Sequence, residues 1–549
     1  MKLGAYRWYD PSIAAAGLIG IAAVVYRLFT LRSLPNDHFM HMVWAQQLLA
    51  GDLPGRDFVD PGMPLTYAAS ALVQYLRPGP FSEAALTLAL MAVAAAAITL
   101  LAARLSSSLV IALSAGAFVI AIRPRLYSYP KILVPAVTLL LFDRYQRAPG
   151  TRHLIAVGIC VAVGTLFRHD LGVIAGLAVL SGLVLTHYGD RASLTRATLV
   201  FTATTVLALL PYGIYVASTE GLLEHVRVGA EFAKTDEHQF AFELPALLWM
   251  GGAATSWSAG DSAVLLSYVT LAAVPLGAVW LVYRGRTHSD AAIATKTAVL
   301  TTLALYAAFL LRHPITARIP DLAAPLAVSI AWFGAELIRG SFVRSVAVRL
   351  ATAAAGILLT CGGVLLAGDA GDFGQRLIDA DATRGPRAVY RRFLGMREQG
   401  TVWPWTGFWP QGDLPEMTQY IDQCTAPTDR VLLTWFGPEY YYFSRRPFGG
   451  GLGLLYPGRA FTRPVDQERI VDHMRRERVV LVLMNEERAP ISGYPILAAY
   501  LAKEYKTAGW FTMYDDTRVS IVVRRDLTAT RTYGRDRWPC AFADEPPKT

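Results

Sequence analysis

The sequence predicts a polytopic α-helical membrane protein with a small C-terminal α/β domain, and three observations predict it. Of 549 residues, 54% are hydrophobic and only 17% charged, against about 25% charged in soluble globular domains. Apolar runs such as 84–103, 197–219, 262–283 and 350–368 match the roughly 20 residues a helix needs to cross a bilayer. From about Gly371 onward the chain turns polar and aromatic and alternates short β-rich runs with helical stretches. Mean hydropathy is +0.35. The net charge of +9 would suggest nucleic-acid binding in a soluble chain. Here much of the arginine sits in short turns between apolar runs, where it sets topology and meets anionic lipid. No nucleic-acid motif accompanies it.

The first apolar run, 11–31, is interrupted by Arg27 and closed by no small-residue cleavage site, so it reads as a retained helix. Three pieces follow at 64–76, 84–103 and 105–122. Further spans are read at 131–143, 153–167, 171–188, 197–218, 262–283, 297–311, 322–335 and 350–368, the short ones completed by snorkelling ends or local thinning. One alternating set of loops holds Arg144, Arg147, Arg152, Arg191, Arg196, Arg284, Arg286, Lys296, Arg339, Arg344 and Arg349. The other holds the fewer Arg123, Arg125, Lys131, Arg168, Arg227, Lys234, Arg312 and Arg318. The richer set is read as cytoplasmic. The first loop (32–63), the loop 219–261 and the domain 371–549 then lie outside, after a membrane domain 1–370. With the N-terminus inside, 64–122 must cross an even number of times, so 64–76 merges with its neighbour or only dips in. The count is about eleven crossings.

In the C-terminal part, VLLTWF (431–436), VVLVLM (479–484) and VSIVV (519–523) read as buried strands. Between them Glu416–Cys424, Asp466–Arg478 and Tyr494–Tyr505 read as helices, an alternation that argues for an α/β fold. GGGLG (449–453) has no K-[ST] after it and reads as a flexible loop, and TVWPWTGFWP (401–410) as a joint to the membrane part. Cys160 and Cys361 lie in apolar spans as packing residues; Cys424 and Cys540 can pair if their domain is extracytoplasmic. No metal-ligand cysteine spacing occurs.

The first loop carries the chemistry. In LPNDHFMHMVWAQQLLAGDLPGRDFVDPGMPLTY (34–67) acids stand at 37, 52, 57 and 60. Phe39, Met42, Val43, Ala45 and Leu49 have amphipathic-helix spacing, and Trp44 with two histidines gives that helix the character of one lying on the membrane surface. Asp37 or Asn36 then sits at its N-cap, worth roughly 0.5–2 kcal/mol, or Asp37 is catalytic; spacing leaves both open. Asp57 and Asp60 fall among glycines and prolines and read equally as turn residues. Several acids at the outer mouth of a bundle nevertheless suggest a polar cavity with a function.

The order of a short apolar helix, an Asp-led helix, GDLPGRDF, Asp60 and then MPLTY resembles the first extracytoplasmic loop of GT-C membrane glycosyltransferases. It is most similar to the branch (glycosyltransferase family 39-like) of protein O-mannosyltransferases and aminoarabinose–lipid A transferases. The resemblance implies transfer of a sugar from a polyprenyl-phosphate donor to an extracytoplasmic hydroxyl on an envelope lipid, glycan or protein. It assigns Asp37 as candidate general base, Asp60 as second loop acid and Asp57 as a further acid. His38 stands where many relatives have a second acid, leaving open one acid or an acid–histidine pair. A carboxylate suits the task because an alcohol is a poor nucleophile until its proton is accepted. The departing phosphate needs positive charge instead.

Lys131, Arg125 and Arg123 in IRPRLYSYPKIL, Arg168 in the turn RHD, and Arg312 and Arg318 before Pro320-Asp321 are candidate donor-phosphate ligands. Each also reads as a headgroup anchor or a solvated turn. In the loop 219–261, His225, Glu231, Asp236, Glu237 and His238 show neither H-x-x-x-H nor D-x-D spacing, so no metal is indicated and no cofactor is expected. The alternative function is a transporter or lipid flippase, which usually shows internal repeats; none is visible here, and it leaves the acid-rich loop unexplained.

Overall fold

The computed structural model describes residues 10–31, 34–237, 292–312, 316–339, 373–401, 414–453, 460–487, 490–513 and 516–544, with scattered residues at 265–280, 345–362 and 455. The expected spans 262–283 and 350–368 and the run 401–410 therefore lie largely outside the described residues. Described helices are α1 (Pro11–Thr30), α2 (Asn36–Leu49), α3 (Pro64–Leu76), α4 (Pro80–Ser106), α5 (Leu109–Ala121), α6 (Tyr129–Arg147), α7 (Thr151–Phe167), α8 (His169–Thr186), α9 (Arg191–Thr219), α10 (Leu222–Glu237), α11 (Ile293–Arg312) and α12 (Ala323–Arg339). The C-terminal part follows with α13 (Phe373–Asp379), α14 (Pro386–Gln399), α15 (Leu414–Cys424), β1 (Arg430–Leu433), α16 (Pro438–Ser444), α17 (Pro464–Arg476), β2 (Val479–Met484) and α18 (Pro495–Glu504). It ends on β3 (Tyr505–Thr512), β4 (Arg518–Arg524), β5 (Leu527–Tyr533) and β6 (Trp538–Asp544).

Among the described residues six helical segments are long and apolar enough to cross a membrane, and α5 and α7 are shorter apolar helices. The protein is a multi-pass membrane protein. At 13 residues, α3 rises about 20 Å, short of the roughly 30 Å hydrocarbon core. By internal contacts the chain forms two compact units, one of residues 1–31, 85–211 and 240–393, the other of 32–84, 212–239 and 394–549. The change of composition near 371 does not coincide with this division, because the first loop and α10 group with the C-terminal part.

In the first unit small residues let helices approach closely. A Cβ added to Gly182 of α8 would stand 2.4 Å from the Phe142 ring of α6 and 3.0 Å from the Ala294 carbonyl oxygen of α11. The end of α1 is tied to the turn after α5: buried Arg27 donates to the Pro124 carbonyl, and Arg123 donates to the Thr30 carbonyl at 3.2 Å.

In the second unit a four-stranded sheet runs β1-β2-β4-β3, with β1 and β2 parallel and the other pairs antiparallel. Parallel neighbours need a crossover, which α16 and α17 supply. All three expected strands and all three expected helices of this part are present; β3, β5, β6 and α16 were not read from the sequence. Among the described residues strand β5 pairs only with β6, and a Cys424–Cys540 disulfide ties this hairpin to α15.

Two expectations change here. Helix α2 is not a surface-lying amphipathic helix: His38, Phe39, Met42, Val43, Trp44 and Ala45 are all buried. The aromatic helix α16 covers it, with Phe39 5.6 Å from Tyr442 and 5.1 Å from Phe443 between ring centroids. The glycine run 449–453 is likewise held, not slack. Gly449 N donates to the Val431 carbonyl (2.9 Å), Gly450 N to Glu477 Oε2 (2.8 Å), and the Gly451 carbonyl accepts from Val59 N (2.9 Å). Gly451 has φ +66°, and a Cβ there would lie 3.1 Å from the Asp57 carbonyl oxygen and from the His473 ring. Gly451→Ala is expected to destabilise this unit by at least about 1–2 kcal/mol, read as a lower chemical-denaturation midpoint; an unchanged midpoint would mean the turn can re-form without glycine.

Candidate functional site

The four acids of the first loop have four different environments. Asp52 accepts a bidentate pair from Arg430 at 2.8 Å each and a bond from Gln47 Nε2 at 2.9 Å, which fastens the loop to β1. Its role is structural. Asp57 closes a turn, accepting from Leu53 N at 2.8 Å while paired with Arg56 at 2.5 Å. Burial works against its charge, but these partners outweigh it and hold its pKa below the ordinary carboxylate value. Asp60 is buried. It accepts from Gly62 N at 2.8 Å and from the Tyr212 hydroxyl at 2.7 Å. Asp37 is the half-buried second residue of α2. The N-cap position falls on Pro35, with no side-chain cap bond, so neither Asn36 nor Asp37 occupies it.

Behind Asp60 runs a chain of polar contacts. The Tyr212 hydroxyl also lies 3.3 Å from His225 Nε2, and His225 Nδ1 is 2.5 Å from Glu220 Oε1. Burial opposes a charge on the His225 ring, yet Glu220 and Asp60 outweigh it and raise its pKa above the ordinary imidazole value. The sign follows. Stability from a raised histidine pKa is complete below the unfolded value of about 6.5 and is lost as pH rises through the folded value. The melting-temperature gap between the wild type and His225→Gln is therefore expected to narrow from about pH 6 to 9; a constant gap would mean His225 contributes no titrating charge.

His38 belongs to an acid–histidine pair with Glu83. Its Nε2 lies 3.2 Å from Glu83 Oε1, which also accepts from Ser70 Oγ at 2.9 Å, and His38 and Glu83 are fully buried. Adjacency in sequence does not point to Glu83, which lies 45 positions away. The usable signal was Glu83 itself, an acid opening the first turn of an apolar helix.

The basic candidates separate as well. Arg123 holds the Thr30 carbonyl, and exposed Arg125 bonds the Tyr127 hydroxyl at 2.9 Å and lies 5.9 Å from that ring's centroid. Neither lines the cavity formed by the others. Lys131 in the first turn of α6, Arg168 between α7 and α8, and Arg318 just before α12 line one cavity of about 40 Å³ with Asp170, Asp321 and Tyr306. Lys131 Nζ is 2.5 Å from Asp321 Oδ2, and Arg168 is 2.5 Å from Asp170 Oδ2. Arg312 ends α11, and its side chain lies outside the described residues. Of the loop 219–261, residues after 237 lie outside them too. Among the described residues no three His, Cys, Asp or Glu side chains converge as metal ligands.

Fold and sites together define a multi-pass membrane protein with an acidic first loop, a cationic cavity among its apolar helices and a disulfide-tied α/β region. Two similar solved structures are those of ArnT from Cupriavidus metallidurans. The one bound to undecaprenyl phosphate is 13% identical over 94% of this chain and 98% of that chain, with a TM-score of 0.47. The apo state is 13% identical over 92% of this chain and 97% of that chain, with a TM-score of 0.45. No family model matches the chain, and neither does any curated protein.

Proposed function

We propose that the protein is an inverting membrane glycosyltransferase that moves a hexose or pentose from a polyprenyl-phosphate donor to an extracytoplasmic hydroxyl. The observation that carries this reading is the convergence of Lys131, Arg168 and Arg318, distant in sequence, on one cavity. With Asp170 and Asp321 they sum to one formal positive charge, which a phosphodiester monoanion balances. Charged residues among membrane helices pair with one another or mark a functional site, and arginine suits phosphate oxygens through paired N–H donors. That ArnT was captured with undecaprenyl phosphate is in keeping with a lipid phosphate here.

In the proposed reaction Asp37 accepts the proton of the acceptor hydroxyl as its oxygen attacks the anomeric carbon. The bond from that carbon to the phosphate oxygen breaks, the anomeric centre inverts, and polyprenyl phosphate leaves as the anion. Asp60, held by the Tyr212 hydroxyl and Gly62 N, orients the loop that carries it. The Cys424–Cys540 disulfide supports an oxidising location for the C-terminal region, and hence a site facing outside the cytoplasm.

The test is to incubate the purified protein with labelled polyprenyl-phosphate sugars and envelope extract. Label is expected to move from the lipid to an alkali-stable glycoside. Retention of every label on its carrier by folded protein would overturn the reading.

A further inference from the structure

A second cavity, of about 310 Å³, lies wholly within the unit that contains the first loop, and the chemistry above makes no use of it. One wall is a single face of α17: Asp466, Arg469, Ile470, His473 and Arg476 recur at helical spacing and all line it. Gly55 and Arg56 of the first loop, Glu220 after α9, Gly450 and Gly451 also line it, as do Phe58 and Phe461. The three glycines have positive φ (+73°, +78° and +66°), leaving bare backbone at the wall. An amphipathic helix ordinarily turns its polar face to bulk water. Here that face borders a cavity at the lower end of the 300–1,000 Å³ or so typical of small-molecule sites.

The charge pattern selects the ligand. Arg469 is already 2.8 Å from Glu224 and Arg56 2.5 Å from Asp57, while Asp466 is 2.7 Å from Arg227. Glu224 is so well satisfied that its pKa falls to about 2, chiefly through Arg227. An anion would have to displace carboxylates from Arg56 and Arg469, leaving it Arg476, which donates to a carbonyl of its own helix, and a metal cation would have to displace arginines from the carboxylates. A polyol need do neither, because each hydroxyl both accepts from a guanidinium and donates to a carboxylate. We propose that this cavity is a saccharide site, taking one sugar residue through its hydroxyls against α17 with its apolar face on Phe58 and Phe461. As the place where the acceptor is held, it rests on the transferase reading; as a binding site it stands alone.

Saturation-transfer NMR and calorimetry on the purified full chain, without donor, would test it with neutral hexose disaccharides, N-acetylglucosamine and inorganic phosphate as probes. At least one neutral sugar is expected to bind saturably. Arg469→Ala should weaken it about tenfold or more without unfolding the protein, since Glu224 keeps Arg227 at 2.5 Å. Arg476→Ala provides a second variant, as Arg476 is exposed and donates to a carbonyl of its own helix. No sugar binding to folded protein, phosphate binding tighter than every sugar, or binding unaffected by both variants would each overturn the proposal. Sugar transfer without binding here would overturn this site alone; binding without transfer would overturn the transferase and leave the site.

Discussion

Asp37→Asn is expected to lower sugar transfer by about 10²–10⁴-fold, the usual contribution of a positioned general base, while donor affinity and melting temperature stay near wild type. Asp37 is the second residue of α2 rather than its N-cap, and its charge favours the helix dipole by roughly 0.3–1 kcal/mol. Buried Phe39, Met42 and Trp44 hold the helix. Asparagine keeps the shape and cannot take the proton. Turnover with a defined acceptor, measured beside a melting curve, separates the outcomes. If transfer survives, the base lies elsewhere; if the protein fails to fold, Asp37 is structural after all.

The second large effect is at Lys131. Its side chain is 17% exposed and that of its partner Asp321 13%, so Lys131→Met leaves a carboxylate nearly buried without its main cation. Breaking one side of such a pair costs about 3–5 kcal/mol. Replacing both partners is often neutral or stabilising, because two desolvated charges disappear together. Lys131→Met/Asp321→Leu is therefore expected to recover the melting temperature that Lys131→Met loses. Affinity for polyprenyl phosphate should not recover with it. A charge-assisted hydrogen bond contributes about 1.5–3 kcal/mol, so both variants should bind the lipid roughly 10–150-fold more weakly. Recovery of binding along with stability would mean that the pair serves the fold alone.

The four loop aspartates show how far reading by residue type goes. Composition and position singled out the stretch, and three of its acids became candidates. Only the structure separates Asp52, clasped by Arg430, from Asp60, clasped by Tyr212. The partners are 378 and 152 positions away, and nothing local encodes them. His38 repeats the lesson, since Glu83, the acid 3.2 Å from its ring, is 45 positions away.

What the sequence determined by itself was whatever depends on neighbours along the chain. Apolar runs of bilayer length define helices in lipid because every backbone group must be satisfied within the segment. The β-rich runs at β1, β2 and β4 declared themselves in the same way, each a short apolar stretch bounded by polar turns. Tertiary structure alone decided which charges meet. The convergence of Lys131, Arg168 and Arg318, the burial of α2 beneath α16 and the saccharide-sized space beside α17 all depend on packing between distant segments. The energy of a buried charge is set by the few atoms around it, and those atoms arrive from anywhere in the chain.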